Sequence, residues 1–472
     1  MGDEVSVTIS NVITIDHPSA ELLKWCKQNL KLKNPEYIKK QRMHFWTGKT
    51  PEYLTLYERQ GDKLILPFGT LRQLIPIIPE EEGRGNNVYI RDFPVAEKVD
   101  YHCEVPLYDY QQEAVDEVYW KQYGILHSPA GSGKTQMGIA LIAKLGKRAL
   151  WLSHTKDLLT QSKQRAEQYM DGSLLGTITE GEVNIGSGIT FATVQTMCNL
   201  NLAQYKNMWD VIIVDECHRV SGTPTAVSQY FKVLNSLAAR HKYGLTATVH
   251  RSDGLIQATF ALLGDVVYTV PTEAVADKIM KVGIYPVPTG IHATRSCLNP
   301  DGTENYTKLI GYLTESVDRN VRIIECIVEN RENPSLILSD RLGHLETLMS
   351  MLPADMREDA VMVSGNMTTK KGKAEREQAI ADMRTGERKY LFASYPLAKE
   401  GLDIPCLERL YMASPASDYA VVTQAIGRIA RTSKGKADPI VYDFVDDTPY
   451  SAKAYKKRCT TYKKNGCYFV ER

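Results

Sequence analysis

The stretch VIIVDECHRV runs four aliphatic residues straight into Asp215 and Glu216, with Cys217 and His218 behind them. Adjacent carboxylates at the end of a buried strand repel each other and lose their hydration, so they call for a positive partner. The upstream run YGILHSPAGSGKT offers one. Gly131 and Gly133 allow positive φ and inward-facing N–H groups, and the helix that follows adds its partial positive charge. Ser128, Ala130 and Ser132 complete the loop. Lys134 is placed to reach β- and γ-phosphates and Thr135 to bind Mg²⁺. The strict pattern begins with Gly, and Ser128 departs from it. Taken singly, the loop has a chance match as its alternative, and the acids an exposed turn. Together they predict ATP with Mg²⁺ held by Thr135 and Asp215, and Glu216 orienting the attacking water.

The elements that would position these groups are legible from Val105 onward. Short aliphatic runs (YGILHS, RALWLS, ITFATV, VIIVDE, KYGLTAT) alternate with helical segments such as KTQMGIALIAKLG. That alternation predicts an α/β domain with a parallel sheet. A connector at 272–333 carries the turn NPDGTEN, after which SLILSD, AVMVSG, KYLFAS, ERLYMAS and PIVYDFV repeat the alternation. The leading residues read as β-like runs around one helical piece, AELLKWCKQNL, and PEEEGRGNN is turn-like. Three domains are expected: a small α+β domain at 1–100 and α/β domains at 101–275 and 276–472.

Bulk properties narrow the class. The 472 residues are 43% hydrophobic and 24% charged with a net charge of +1, so a polyanion site must be a local patch. Nine cysteines, none in a C-x-x-C pair, argue for reduced thiols rather than a disulfide or zinc framework. No apolar run approaches the roughly 18 residues of a membrane span, and MGDEVSVTIS lacks the features of a signal peptide. A soluble, cytoplasmic chain is expected.

Asp-Glu-Cys-His resembles the D-E-x-H box of superfamily 2 helicases and translocases, and the resemblance covers about 105–445. It implies two RecA-like domains in tandem. In LYDYQQEAV the resemblance gives Gln111 adenine recognition, with a plain helix start as the alternative. LSHTKDLLTQ and FATVQTM sit where the family contacts a nucleic-acid strand, implicating Thr155, Thr193 and Gln195; a buried polar strand end is the alternative for the second. GLTATVHRSDG resembles the coupling motif, with Thr246, Ala247 and Thr248 joined to His218 as couplers. Its Arg251 and Asp253 match the UvsW, XPB and type III restriction subgroup, which generally acts on duplex or branched DNA.

In the second α/β domain the resemblance marks Ser339, Arg341, Gly365, Lys370, Ser394 and Glu400 for the strand, and Asp403 for the nucleotide. A solvated helix start explains the lysines around Lys370 equally well. QAIGRIAR supplies Gln424 near the γ-phosphate and Arg428 and Arg431 as arginine fingers, with a spacing that predicts one helical face.

Between Lys24 and Lys49 there are eight Lys or Arg and one acid, interleaved with Trp25, Tyr37, Phe45 and Trp46. This mixture suits a nucleic-acid surface, with Trp46 and Lys49 as contacts; a core Trp25 and Phe45 beneath solvated lysines is the alternative. Asn34-Pro35, Trp46-Thr47-Gly48 and Leu66-Pro67-Phe68-Gly69 resemble the leading domain of bacteriophage UvsW-type helicases, implying a fork-binding module. The tail SAKAYKKRCTTYKKNGCYFVER reads as a basic amphipathic helix by the DNA track or a solvated terminal helix.

The resemblance implies an ATP- and Mg²⁺-dependent DNA helicase or translocase that remodels forks and junctions in phage recombination or repair, in a bacterial cytoplasm. Rivals are a restriction-type motor, a duplex translocase without strand separation, an RNA helicase, and a nucleic-acid-binding scaffold with a dead ATPase.

Overall fold

The computed structural model describes residues 6–43, 45–77, 88–94, 97–224, 226–249, 254–275, 279–365, 367, 369–399, 402 and 404–471. It divides into two compact units, Met1–Pro129 with Gly133–Pro271, and Ala130–Ser132 with Thr272–Arg472.

The first unit opens with β1 (Ser6–Ile9), β2 (Val12–Asp16), β3 (Lys31–Lys33), β4 (Tyr53–Thr55), β5 (Glu58–Gln60), β6 (Lys63–Pro67) and β7 (Val88–Arg91). Five of these form a sheet in the order β5-β6-β2-β1-β7, and β3 pairs with β4. Alternate residues of β1 and β2 face inward, so Val7, Ile9, Ile13 and Ile15 meet Leu22 and Cys26 of the Ala20–Asn29 helix. Phe68 and Leu74 continue this core into Tyr123, Ala258 and Ala261 of the α/β region. The leading core therefore reaches across the boundary expected near residue 100, beside a separate core within the α/β region. A truncation there would strip apolar cover from Tyr123, so point substitutions are the sound way to probe this region.

The α/β part adds β8 (Tyr123–His127), β9 (Ala149–Ser153), β10 (Leu175–Thr179), β11 (Glu182–Asn184), β12 (Ile189–Thr193), β13 (Val211–Asp215), β14 (His241–Thr246) and β15 (Val266–Thr269). Their order is β11-β10-β12-β9-β13-β14-β8-β15, parallel throughout except for β11. Every residue of β9, β12 and β13 is buried, which is why these strands read as continuous aliphatic runs.

Lys242 on β14 breaks that apolar rule. It is fully buried, and its Nζ donates to Leu234 O at 2.9 Å and Asn11 O at 3.3 Å, 4.8 Å from the Phe68 ring centroid. Asn11 lies in the β1–β2 turn and also donates through Nδ2 to Asn235 O. Burial pushes the Lys242 amine down to about 7 from 10.5. The folded amine thus binds a proton less readily than the unfolded one. Unfolding takes up a proton between about pH 7 and 10.5, and stability rises with pH across that window. Lys242→Met removes the titration. Its stability relative to the parent should be higher at pH 6 than at pH 9 by about 2–3 kcal/mol. Urea unfolding at the two pH values checks this; an offset that does not change with pH would contradict it.

The second unit contains β16 (Gly283–His292), β17 (Ser335–Ser339), β18 (Ala360–Val363), β19 (Tyr390–Ser394), β20 (Arg409–Met412), β21 (Ile440–Asp447) and β22 (Tyr468–Phe469). The order is β18-β19-β17-β20-β21-β16-β22, with each pair parallel. Part of the expected connector is therefore sheet: β16 pairs with β21 over Gly283–Pro288.

The tail helix buries one face on the second unit and leaves its lysines exposed. In the Pro449–Lys464 helix the Arg458 guanidinium is buried and grips Asp443 at 2.9 and 2.8 Å, while donating to Ala416 O at 2.7 Å. Tyr462 Oη donates to Asp443 Oδ2 at 2.7 Å. A second buried pair, Arg319 to Asp446 at 2.7 Å, closes the neighbouring part of this core. Both pairs are fully desolvated, so removing one partner leaves an uncompensated charge.

Candidate nucleotide site and its relays

The phosphate loop leaves the end of β8. Gly131 and Gly133 adopt φ of 83° and 82°, the left-handed region that turns successive N–H groups toward one concavity. Ser128 does not adopt positive φ, so a side chain is tolerated where the strict pattern has Gly. Its N–H donates to Thr246 O at 2.9 Å. The helix Lys134–Leu145 starts at Gly133, placing Lys134 and Thr135 in its first turn. Gln111 is buried behind the loop: its Oε1 accepts from Tyr108 N at 3.0 Å, and a Cβ on Gly133 would come within 2.4 Å of its Nε2. Gln111 therefore braces the loop as well as capping its own helix.

Asp215 ends β13, and its Oδ1 accepts from Glu216 N at 2.9 Å. Burial, with the Glu216 charge second, pushes its carboxyl up to about 7; Lys134 and a Ser162 hydrogen bond pull it back. A desolvated acid facing a lysine is short of positive charge, the condition a divalent cation relieves. Among the described residues no three His, Cys, Asp or Glu side chains gather into a metal cage. Mg²⁺ needs none, because it keeps phosphate and water oxygens and takes one or two protein donors. Asp215 and Thr135 fit that donor chemistry.

Glu216 sits at φ 47°, a strained value for a residue with a side chain. This backbone turn puts its Oε2 3.2 Å from His218 Nδ1. The same Nδ1 lies 3.1 Å from Thr246 Oγ1, which accepts from Thr248 N at 3.0 Å and donates to Thr248 O at 2.9 Å. A polar relay thus runs from Glu216 through His218 to Thr246 and Thr248, and Thr246 O returns to Ser128 of the phosphate loop. Ala247 is buried between the two threonines, and its O lies 3.2 Å from His127 Nε2.

The expected strand contacts divide by exposure. Thr155 caps the Lys156–Glu167 helix, with Oγ1 accepting from Leu158 N at 3.4 Å, and Gln195 Nε2 is 3.4 Å from His154 Nδ1; both residues are half-buried. Thr193 is buried and donates to Thr196 Oγ1 at 2.9 Å. Ser339 is fully enclosed, its Oγ 3.0 Å from His344 Nδ1 and accepting from Arg341 N at 3.2 Å. These last two hydroxyls are engaged inside the fold. Arg341, Gly365, Trp46 and Lys49 are exposed, and Ser394 is half-buried. Lys370 begins the Lys370–Thr385 helix. Arg251, Glu400 and Asp403 lie outside the described residues.

In the second unit Gln424 is buried, and its Oε1 has no hydrogen-bond partner among the described residues. Arg428 lies in the last turn of the Tyr419–Ile429 helix, donating to Leu402 O at 3.1 Å. The expectation of one helical face for both arginines fails: the helix stops at Ile429, and Arg431 pairs through its backbone with Ile279. Lys436, which sequence reasoning missed, braces this ending. Its Nζ donates to Ile429 O at 2.7 Å, Arg431 O at 2.7 Å and Pro405 O at 2.9 Å. It fixes where Arg431 leaves the helix, and only its place five residues beyond Arg431 in the sequence hinted at that role.

The architecture and loop define two tandem RecA-like helicase domains. Residues 104–251 match the family of type III restriction enzyme res subunits, and residues 318–433 match the helicase conserved C-terminal domain. Together the matches indicate a superfamily 2 helicase. The chain is 25% identical over 364 residues to the DNA 3'-5' translocase XPB2 of Sulfurisphaera tokodaii, covering 71% of this chain and 80% of that protein. It is 24% identical over 346 residues to "Probable helicase D10" of Escherichia phage T5, covering 72% of each. A fragment of an HsdR subunit of a type I restriction enzyme from Vibrio vulnificus shares the fold, with a TM-score of 0.58 and 18% identity over 78% of this chain and 69% of that one.

Proposed function

We propose that this chain is an ATP- and Mg²⁺-dependent DNA helicase of the UvsW and XPB subgroup that remodels forks and four-way junctions in recombination and repair. The observation that carries the reading is the Glu216–His218–Thr246 relay, which ties the hydrolytic carboxylate to the motif expected to sense a bound strand. The relatives named above, one a DNA 3'-5' translocase and one a phage helicase, support DNA as the track and a phage-infected bacterial cytoplasm as the setting. Lys134 and the loop N–H groups would hold the phosphates, and Thr135 and Asp215 would hold Mg²⁺, whose charge would offset that of the phosphates. Glu216 orients water. Gln424, Arg428 and Arg431 complete charge compensation at the γ-phosphate in a closed state. Loss of that phosphate removes what they bind, so the closed state loses its advantage.

A second reading, duplex translocation without strand separation, is favoured by the restriction-enzyme description of the first matched family. Phosphate release measured with single-stranded, duplex, forked and junction DNA and with RNA, at several salt concentrations, tests the proposal. Forked and junction DNA should stimulate most. Equal or greater stimulation by RNA, or none by any nucleic acid, would overturn it.

A further inference from the structure

The Pro35–Arg42 helix has no buried residue, which is unusual for a helix in a folded domain. It stands between two grooves. One, of 560 Å³, is lined by Lys33, Ile38, Lys39 and Arg42 and reaches Gly254, just beyond the Thr246–Thr248 motif. The other, of 540 Å³, is lined by Glu36, Lys40, Trp46, Lys49 and Leu54 and reaches Ala226; Lys40 pairs with Glu36 at 2.8 Å, so Lys49 is its uncompensated cation among these residues. Each groove therefore carries lysine or arginine on a wall shared with this helix. Its far end presents Met43, Phe45 and Trp46 at 49%, 59% and 87% exposure.

The tip is held, not loose. Asn34 is buried and caps the helix, its Oδ1 accepting from Glu36 N at 3.0 Å and its Nδ2 donating to Pro51 O at 2.9 Å. Phe45 N donates to Lys40 O at 2.8 Å, Lys40 Nζ to Thr50 Oγ1 at 2.6 Å, and Thr50 N to Thr47 O at 2.9 Å. The Trp46 ring lies over Gly48, where a Cβ would come within 2.8 Å of it, so only glycine lets the indole sit there. An apolar tip fixed in water has no folding role. Trp25, by contrast, packs against the leading core.

We infer that this helix is a strand separator, an inference that rests on the helicase reading and deepens it. Phe45 and Trp46 stack on the last base pair of a forked duplex, and one parted strand follows each basic groove. The lysines and arginine neutralise phosphates on both sides, while the rings replace the stacking that the opened pair loses. The groove ending at Gly254 delivers its strand toward the segment that the relay couples to Glu216.

The test is the number of base pairs opened per ATP hydrolysed on a forked duplex, comparing the parent with Phe45→Ala/Trp46→Ala and Trp46→Phe. Both side chains are exposed, so no core is lost. The double variant should open at least about tenfold fewer pairs per ATP, and Trp46→Phe should stay near the parental ratio. A surface that merely binds would lower hydrolysis and opening together, leaving the ratio unchanged; that result overturns the separator. A parent that hydrolyses ATP on DNA yet opens no fork also overturns it while sparing the motor. A parent with no DNA-stimulated hydrolysis defeats the helicase reading itself.

Discussion

Glu216→Gln should lower ATP turnover by about 10²–10⁴-fold, the range lost when a positioned general base is removed. Glutamine keeps the shape and the hydrogen-bonding reach but cannot take a proton. The strained turn at φ 47° is set by the backbone, and His218 retains its contact with Thr246, so the local structure should survive. Nucleotide affinity should move the other way. The Glu216 charge is the second cause of the raised Asp215 carboxyl, after burial. Removing it lets Asp215 ionise more readily, and Mg²⁺–ATP should bind as tightly as in the parent or more so. Equilibrium binding beside steady-state kinetics separates the two effects. A fall in affinity with unchanged turnover would mean that Glu216 holds the metal and not the water.

Arg428→Ala and Arg431→Ala should each reduce turnover by about 10³-fold or more, the scale on which a guanidinium at a transferring phosphoryl group acts. Arg428 also donates to Leu402 O, so its truncation should lower stability by about 1 kcal/mol. Arg431 is anchored through its backbone to Ile279 and Lys436, contacts that alanine keeps. Neither loss should be rescued by lysine, which lacks the planar fork. Turnover with urea midpoints decides the matter. Activity losses that track stability would make both arginines structural.

The parts of the chain that could be read in sequence are those whose signal is local. Strands of a parallel sheet are buried on both faces, so YGILHS, RALWLS and VIIVDE announce themselves, and the phosphate loop follows from glycine at fixed spacing. β16 lies within the expected connector, and its Pro286 and Pro288 are residues that strands seldom hold. They are tolerated because β22 pairs only with Gly283 and Ile284, leaving that edge without a partner that needs their N–H groups. Lys242 and Arg458 are each buried by a segment distant in sequence, the β1–β2 turn for one and β21 for the other. Thr193 and Ser339 stand where a strand contact was expected, yet their hydroxyls are satisfied by Thr196 and His344. Arg431 shows the same limit, since the helix implied by its spacing stops at Ile429, where Lys436 takes the Ile429 and Arg431 carbonyls.

The central claim is that one lysine-bearing loop, backed by Asp215 and Glu216, powers movement along nucleic acid. Phosphate release by the parent and by Lys134→Ala, each with and without forked DNA, addresses it most directly. The parent should accelerate on adding the fork, and Lys134→Ala should run about 10³-fold slower in both conditions. A Lys134→Ala chain that hydrolyses ATP at the parental rate, or a parent indifferent to DNA, would contradict it.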